Sequence, residues 1–326
     1  MKQDVFSSTP PIIKEFLGYL GTVKGKSPLT VEEYFLDLRT FFRYMLQQRG
    51  DVSPQTPFDE INISSINLTF IESITLTDVY EYMNFISTQR KNKASTRSRK
   101  VSSLRTYFQY LTNKAGKLKN NPVAELETPK TKKALPKYLT LEQSIELLNA
   151  TDGPYQSRDY CILTLFLNCG MRLSELVSIN LSDINHQDRV IRITGKGNKE
   201  RLVYLNDACV SSINSYLKNR PVNGILDRDA LFISREHKRI SPKTVQAMVN
   251  KYLKKIGLGS AGYSVHKLRH TAATLMYQYG NVDIRVLKDI LGHENLGTTE
   301  IYTHISDTQM KKASDSNPLS KIKQKK

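Results

Sequence analysis

A segment rich in proline and lysine divides this chain and constrains its fold more than any other feature. Residues 128–137 read TPKTKKALPK, with two prolines, four lysines and no acidic residue. Proline lacks the N–H that helices and strands use and holds the residue before it extended, so the segment predicts an extended linker. A chain of 326 residues suits two domains of roughly 150 residues each. We therefore predict a first domain over residues 1–127 and a second over 138–326, which ends in a basic tail.

Apolar residues in the first domain recur with helical spacing. Four stripes at i, i+3, i+4 and i+7 predict four helices packed on one core. The stripes run through residues 13–20, 31–45, 79–86 and 101–111. Between the second and the third lies Asp51–Ser73, a polar stretch for which the pattern leaves open a short helix or a long loop.

The second domain combines many helices with few strands. Helices are predicted over residues 141–149, 158–169, 207–219, 242–256, 266–279, 283–291 and 298–312. Residues 189–194 and 202–205 are predicted to be paired strands, because they flank GKGNKER, a glycine-containing turn typical of hairpins. The chain as a whole is therefore predicted to be mainly α with a small β-sheet, and its second domain to be α+β.

The excess of basic residues indicates a polyanionic partner. Lysine and arginine number 48 against 31 acidic residues, a net charge of +17. Nucleic acid is the first candidate, an anionic membrane surface the second, and a solvated basic surface without a partner stays open. No apolar run approaches the ~18 residues of a membrane span, and the N-terminus lacks the apolar core of a secretion signal. Three cysteines without a C-x-x-C pair favour a reducing interior, so we expect a cytoplasmic protein without a membrane partner.

A basic patch begins the fourth predicted helix. Residues 90–105 read RKNKASTRSRKVSSLR, with seven positive charges and no acid. Cations at a helix start oppose the helix dipole by roughly a few tenths of a kcal/mol each, so their presence favours contact with phosphates over a merely solvated face. The candidate DNA-binding residues are Arg97, Arg99 and Lys100, which are expected to face outwards, together with Arg105 and, in the second domain, Lys243.

Five short segments of the second domain carry side chains suited to phosphoryl transfer. In chain order, they are GMRLSEL with Arg172 and Glu175, TGKGNKER with Lys196, HKLRHT with His266, Arg269 and His270, LGHEN with His293, and TEIYTHIS with Tyr302. An arginine held by a carboxylate suits a bidentate phosphate contact. Taken singly, each residue also has a plainer interpretation, such as a surface ion pair or a buried tyrosine. The His-x-x-x-His spacing is also found in zinc sites, but no glutamate base lies between the histidines, and we predict no metal site and no cofactor.

Together these segments resemble the tyrosine recombinase, or phage-integrase-like, family. The order arginine, lysine, His-x-x-Arg, histidine, tyrosine matches the family's catalytic set without a gap, strongly over residues 140–305. The first domain resembles, by pattern only, the family's four-helix core-binding (SAM-like) domain. Compact size and a short C-terminus look most like the Xer-type recombinases, although Asn317 in SNPLSK stands where that group's histidine is expected. A recombinase of a mobile element or an inversion system of similar build stays open.

The resemblance implies metal-free phosphoryl transfer. Tyr302 would attack the scissile phosphate, giving a 3′-phosphotyrosine, with His266 as the proton acceptor. The nonbridging oxygens would be clamped by Arg172 and Arg269 and receive a further hydrogen bond from His293. Lys196 would protonate the leaving 5′-oxygen. Glu175 would orient Arg172, and His270 would have a supporting role.

The resemblance also implies the partners of the chain. Duplex DNA would be held between the two domains, and four protomers would synapse two sites and exchange strands through a Holliday junction, alone or with a related recombinase. A type IB topoisomerase and a DNA-binding protein with a silent site stay open as other classes. A metal-dependent nuclease is disfavoured, because the sequence offers no cluster of acids.

Overall fold

The computed structural model describes residues 9–128, 137–195, 200–280 and 282–292. The chain forms two compact units, residues 1–133 and 134–326, and each is described by itself. The boundary between the units lies inside the segment predicted to be a linker. Among the described residues, no helix has the length and apolar character to cross a bilayer.

The first unit is helical in its described part, and its helices begin at strong local signals. Ser27 caps the longest helix by accepting a hydrogen bond from the backbone N–H of Thr30, and Pro28 occupies its first position, where no N–H is needed. Thr75 and Asp78 form a reciprocal capping box at the start of another. The helices are α1 Pro11–Gly18, α2 Pro28–Gln48, α3 Leu68–Glu72, α4 Leu76–Thr88 and α5 Ala94–Asn113.

Buried aromatic rings hold these helices together. Phe41 of α2 meets Tyr82 of α4 at 5.1 Å and Phe108 of α5 at 6.4 Å between ring centroids, both edge to face. This geometry adds electrostatic attraction to the burial of apolar area. The four predicted apolar stripes thus lie on α1 with the π-helical turn Tyr19–Val23 that follows it, on α2, on α4 and on α5, and they meet in one core.

The stretch Asp51–Ser73, left open by the sequence, holds both irregular chain and short helices. A 3₁₀ turn spans Phe58–Glu60, and α3 follows at Leu68–Glu72. Ile61, Ile66 and Ile71 from this stretch are buried in the core of the unit. The stretch is therefore an anchored part of the first unit.

The side chain of Lys100 does not face outwards, and that expectation was wrong. It is 9% exposed, and its ammonium donates to Asp37 of α2 at 3.0 Å. The same carboxylate accepts hydrogen bonds from Arg99 at 2.6 Å and Ser103 at 2.7 Å. Asp37 supplies the counter-charge that the local sequence of the basic patch lacks. Arg99 and Lys100 are thus balanced within the chain, and phosphates are not needed to explain Lys100.

The second unit packs helices around a small sheet. Its elements are α6 Leu141–Asn149, α7 Gln156–Cys169, α8 Leu173–Ser178, β1 Ile184–Asn185, β2 Val190–Thr194, β3 Glu200–Tyr204, α9 Asp207–Asn219, α10 Pro242–Lys255, α11 Val265–Tyr279 and α12 Ile284–Leu291. In the described residues the sheet is antiparallel throughout, in the order β1-β2-β3. The two strands predicted to pair therefore do so, and the predicted fold class, mainly α with a small β-sheet, is confirmed.

Helix α7 is the central element of this unit. It is buried along most of its length and packs against α9 and α11. Cys161, Cys169 and Cys209 are buried free thiols in this core. The helix ends at Gly170, which adopts a left-handed conformation with φ of 60°. A Cβ at Gly170 would lie 2.8 Å from Cδ2 of Leu291, so only glycine lets α12 pack closely against this turn.

Candidate active site

Arg172 lies at the junction between α7 and α8. It is the residue before the first turn of α8, and its side chain is 37% exposed. One terminal nitrogen donates to Glu175 at 2.8 Å, and the other donates to the backbone carbonyl of Gly292 at 2.9 Å. A guanidinium carries five N–H groups, so these two contacts fix its position and leave N–H groups for an anion.

Glu175 is the electrostatic centre of the site. Its side chain is 2% exposed and accepts the backbone N–H of Arg172 at 2.7 Å in addition to that residue's guanidinium. Arg201 of β3 donates to both of its carboxylate oxygens, at 2.7 and 3.0 Å. Burial alone would raise the pKa of this carboxyl, but the hydrogen bonds from Arg201 and Arg172 outweigh burial and lower the pKa to about 2. Glu175 is therefore a permanent anion that holds cations.

Arg269 extends from α11 into the same cluster. Its side chain is 3% exposed, and it lies 4.0 Å from the carboxylate of Glu175. It donates to the backbone carbonyls of Gly170, at 2.8 Å, and Leu291. These carbonyls end α7 and α12, where the helix dipole is negative. The buried cation is thus balanced by dipoles as well as by Glu175.

His266 lies one turn before Arg269 on α11. Partial desolvation and the positive charges of Arg269, Lys267 and Arg172 lower the pKa of His266. The imidazole is consequently neutral at neutral pH and able to accept a proton. Its ring packs edge to face against that of His270, with 4.7 Å between the centroids. His270 therefore contacts the ring of His266, and the supporting role expected for it stays a prediction.

A cavity of about 410 Å³ opens beside these groups. Arg172 and the neighbouring chain from the α7–α8 junction form one wall, and His266 and Arg269 from α11 form another. Gln246 and Asn250 of α10 complete the lining. The cavity thus combines two fixed cations and a neutral imidazole, an arrangement that suits a phosphate ester. The described part of the chain contains no group of three or more His, Cys, Asp or Glu side chains arranged to hold a metal ion.

Arg201 belongs to this cluster and was missed by the sequence analysis. It stands opposite Ile193 in the β2–β3 ladder, and facing residues of such a pair lie on the same face of the sheet. Ile193 is buried, so Arg201 is directed inwards, where an arginine needs a carboxylate. Alternation along β3 is the signal that could have revealed this arginine.

The remaining predicted residues are placed as follows. Lys196, His293 and Tyr302 lie outside the described residues. Arg97 donates to the carbonyl of Asn92 at 2.8 Å, and Arg105 binds Thr128 and the carbonyl of Leu126. Arg99 is ion-paired but 44% exposed, and Lys243 is exposed on α10. Of the predicted catalytic set, the described structure therefore brings together Arg172, His266 and Arg269, with Glu175 and His270.

Comparisons with known proteins identify the class of enzyme. Residues 137–309, more than half of the chain, match the model of the phage integrase family. A tyrosine recombinase XerC from Caldanaerobacter subterraneus subsp. tengcongensis is 54% identical over 311 residues, which are 95% of this chain and 88% of that protein. The chain therefore belongs to the phage integrase family of tyrosine recombinases. It is of the Xer type, and its activity is site-specific recombination by cleavage and rejoining of DNA.

Solved structures share the fold. A XerH site-specific recombinase bound to a palindromic difH substrate, in a post-cleavage complex, has a TM-score of 0.70 at 19% identity, covering 93% of this chain and 83% of that one. A lambda integrase dimer bound to a COC′ core site has a TM-score of 0.62 at 19% identity, covering 88% and 95%. At this identity the likeness concerns the fold alone.

Proposed function

We propose that the cavity beside Arg172, His266 and Arg269 binds the scissile phosphate of duplex DNA. The observation that carries the proposal is the anchoring of both arginines by backbone carbonyls beside an open cavity, which prepares them for an anion before it arrives. Negative charge grows on the nonbridging oxygens in the transition state, and fixed donors stabilise that charge without reorganising. DNA is therefore cleaved at a preformed site.

The chemistry we propose keeps the number of phosphodiester bonds constant. The phenolic oxygen of Tyr302 forms a bond to phosphorus while the bond to the 5′-oxygen breaks. The tyrosine proton passes to His266, and Lys196 gives a proton to the leaving 5′-oxygen, while His293 donates a hydrogen bond to the phosphate. The 3′-phosphotyrosine stores the energy of the broken bond, so a 5′-hydroxyl from a partner strand can reverse the step without ATP.

If His266 is the proton acceptor, the acid limb of the cleavage rate is expected at a lower pH than an ordinary histidine would give. Because the pKa of His266 is lowered, the neutral form persists to lower pH than for an ordinary histidine. Replacing Lys267 by Gln removes one of the charges that lower this pKa, so the acid limb should move to higher pH. Single-turnover cleavage measured between pH 5 and 8 tests this. An acid limb that is unmoved in Lys267→Gln would remove His266 from this role.

Lys196→Ala should slow cleavage of ordinary DNA by about 10²–10³-fold, the usual effect of losing one proton donor or preorganised hydrogen-bond donor. A substrate with sulfur in the 5′-bridging position needs no proton on its leaving group, so the variant should cleave it nearly as fast as wild type. Lys199→Ala, in the same sequence segment GKGNKER, is the matched control and should leave both rates close to wild type. Equal slowing of both substrates by Lys196→Ala would exclude a general-acid role.

The proposal also includes the assembly of protomers on DNA and the kind of recombination that they carry out. We propose that four protomers synapse two DNA sites in the cytoplasm, alone or with a related recombinase, and exchange strands through a Holliday junction. The Xer type favours resolution of chromosome or plasmid dimers, whereas integration, excision or inversion of an element is the alternative. Gel filtration with a two-site DNA tests the assembly, and absence of a tetramer would reject it.

Covalent trapping tests the whole proposal. The wild-type protein is incubated, in chelator, with nicked or bridging-phosphorothiolate duplexes drawn from the host genome, and adducts are resolved on denaturing gels and sequenced. An adduct at one sequence supports the proposal and supplies the site. Adducts on arbitrary sequences would instead indicate a topoisomerase, and no adduct, alone or with a second recombinase, would indicate a silent DNA-binding protein.

A further inference from the structure

We infer that Arg201 is a positioning residue of this active site: its guanidinium fixes the carboxylate of Glu175, and Glu175 in turn holds Arg172 towards the scissile phosphate. The inference rests on the proposed role of Arg172 in binding that phosphate. Among the described residues, those that line the cavity do not include Arg201, so its effect on the reaction passes through its neighbours, and first of all through Glu175.

The geometry of the contact is that of a fork. The two terminal nitrogens of Arg201 donate to the two carboxylate oxygens of Glu175, one each, at 2.7 and 3.0 Å. Two parallel hydrogen bonds fix both the position and the plane of a carboxylate, which a single point charge does not. The oxygens that Arg201 holds are the same two that receive the guanidinium and the backbone N–H of Arg172.

Arg201 also lies beside the second group that holds Arg172, the backbone of Gly292. A Cβ built on Gly292 would lie 3.2 Å from Nε of Arg201, so the backbone of Gly292 lies directly against this side chain. The carbonyl of Gly292 accepts the second terminal nitrogen of Arg172 at 2.9 Å. Arg172 is therefore held on one side by Glu175 and on the other by Gly292, and Arg201 binds Glu175 and lies beside Gly292.

The charges explain why a second arginine is needed. Glu175 carries one negative charge and lies among the guanidiniums of Arg172, Arg201 and Arg269. Arg201 raises the net positive charge of this cluster by one, which favours binding of the phosphate. Without it, the carboxylate would lose two of its hydrogen bonds and would be less restrained against motion between the two arginines proposed to bind substrate. The fork restrains this motion from β3, an element that neither of those arginines belongs to.

The test compares Arg201→Lys with Arg189→Lys. Lysine keeps the charge but lacks the planar fork. Arg189 is an exposed arginine of the same part of the chain, paired with Asp207 at 2.6 Å, and serves as the matched control. We expect Arg201→Lys to slow single-turnover adduct formation by about 10–100-fold, the usual effect of losing a residue that orients a ligand, with DNA affinity within about twofold. Arg189→Lys should change neither quantity.

A double-mutant cycle separates positioning from a general structural role. If Arg201 acts through Arg172, then Arg172→Lys and Arg201→Lys combined should be little slower than Arg172→Lys alone. The inference would be overturned if the rate losses of the two single variants multiplied in the double variant. It would also be overturned if Arg201→Lys lost DNA binding or formed the adduct at the wild-type rate. If Arg201→Lys unfolds at a low temperature, a second variant replaces it. Arg201→Ala leaves room for a free guanidinium ion, which at millimolar concentration should restore adduct formation. No restoration would count against the inference. Failure of the wild type itself to form an adduct would bear on the proposed function instead.

Discussion

Replacing Tyr302 by phenylalanine is expected to abolish covalent attachment to DNA while DNA binding stays within about twofold of wild type. The substitution removes only the nucleophilic oxygen, and removal of a nucleophile typically lowers the rate by on the order of 10⁴-fold or more. An ordinary tyrosine with a pKa of ~10 is largely protonated at neutral pH, so the fixed cations and the neutral His266 are needed to make it react. Denaturing gels on a phosphorothiolate substrate measure the adduct, and an electrophoretic mobility shift measures binding.

Tyr279→Phe provides the matched control for this experiment. Tyr279 is the last residue of α11 and is exposed, so its hydroxyl is expected to contribute nothing to cleavage. Peptide mass spectrometry of the wild-type adduct should locate the attached nucleotide on Tyr302. An adduct that persists in Tyr302→Phe, or that maps to another of the 17 tyrosines, would show that the nucleophile is elsewhere.

Local signals were sufficient to predict much of the secondary structure. Helices were predicted over residues 141–149 and 207–219, and α6 and α9 have these same limits. Both are preceded by a residue whose side chain caps the helix, Thr140 and Asn206. Residues close together in the chain therefore determine both the apolar periodicity of the helix and its first residue. The stretch Asp51–Ser73 could not be predicted in the same way, because its apolar residues are spread over turns and a five-residue helix.

Contacts between distant segments were not predictable from local patterns. Lys100 belongs to a run without acids, and the carboxylate that buries it is 63 residues earlier in the chain. Arg201 and Glu175 are separated by 26 residues and meet only because β3 pairs with β2 in one particular register. A charged residue is predicted to be exposed to solvent as long as its partner is unknown. Ion pairs between different elements are therefore not predicted by periodicity.

The candidate site was predictable to the extent that its residues lie in short characteristic segments. The pair formed by Arg172 and Glu175 was expected from their spacing of three residues, and the structure has it at 2.8 Å. The lowered pKa of His266 was not expected from sequence, because it depends first on burial of the ring and then on the charges of Arg269, Lys267 and Arg172, the last of which belongs to another element. The roles assigned to Lys196, His293 and Tyr302 stay predictions for the experiments described above.

Glu175→Gln is expected to lower both stability and cleavage strongly. The substitution keeps the size of the side chain but leaves three guanidiniums without their buried counter-charge, and breaking a buried ion pair from one side typically costs about 3–5 kcal/mol. Asp152→Asn is the control, because it breaks an exposed pair with Lys251 and Lys255 and should leave the melting temperature and cleavage rate close to wild type. Cleavage by Glu175→Gln should fall by about 10–100-fold at a temperature where it remains folded.

The stability lost in Glu175→Gln should depend on pH in a defined direction. The folded-state pKa of Glu175 is about 2 against an ordinary value of 4.5, a difference equivalent to on the order of 3 kcal/mol. A carboxyl whose pKa is lowered by folding stabilises the protein above its unfolded pKa, and that contribution is lost as pH falls through the folded pKa. The gap between wild type and Glu175→Gln in unfolding free energy should therefore be full at pH 7 and shrink from about pH 4.5 towards pH 2. A gap that is constant over this range would mean that packing of the side chain, and not its charge, holds the arginine cluster together.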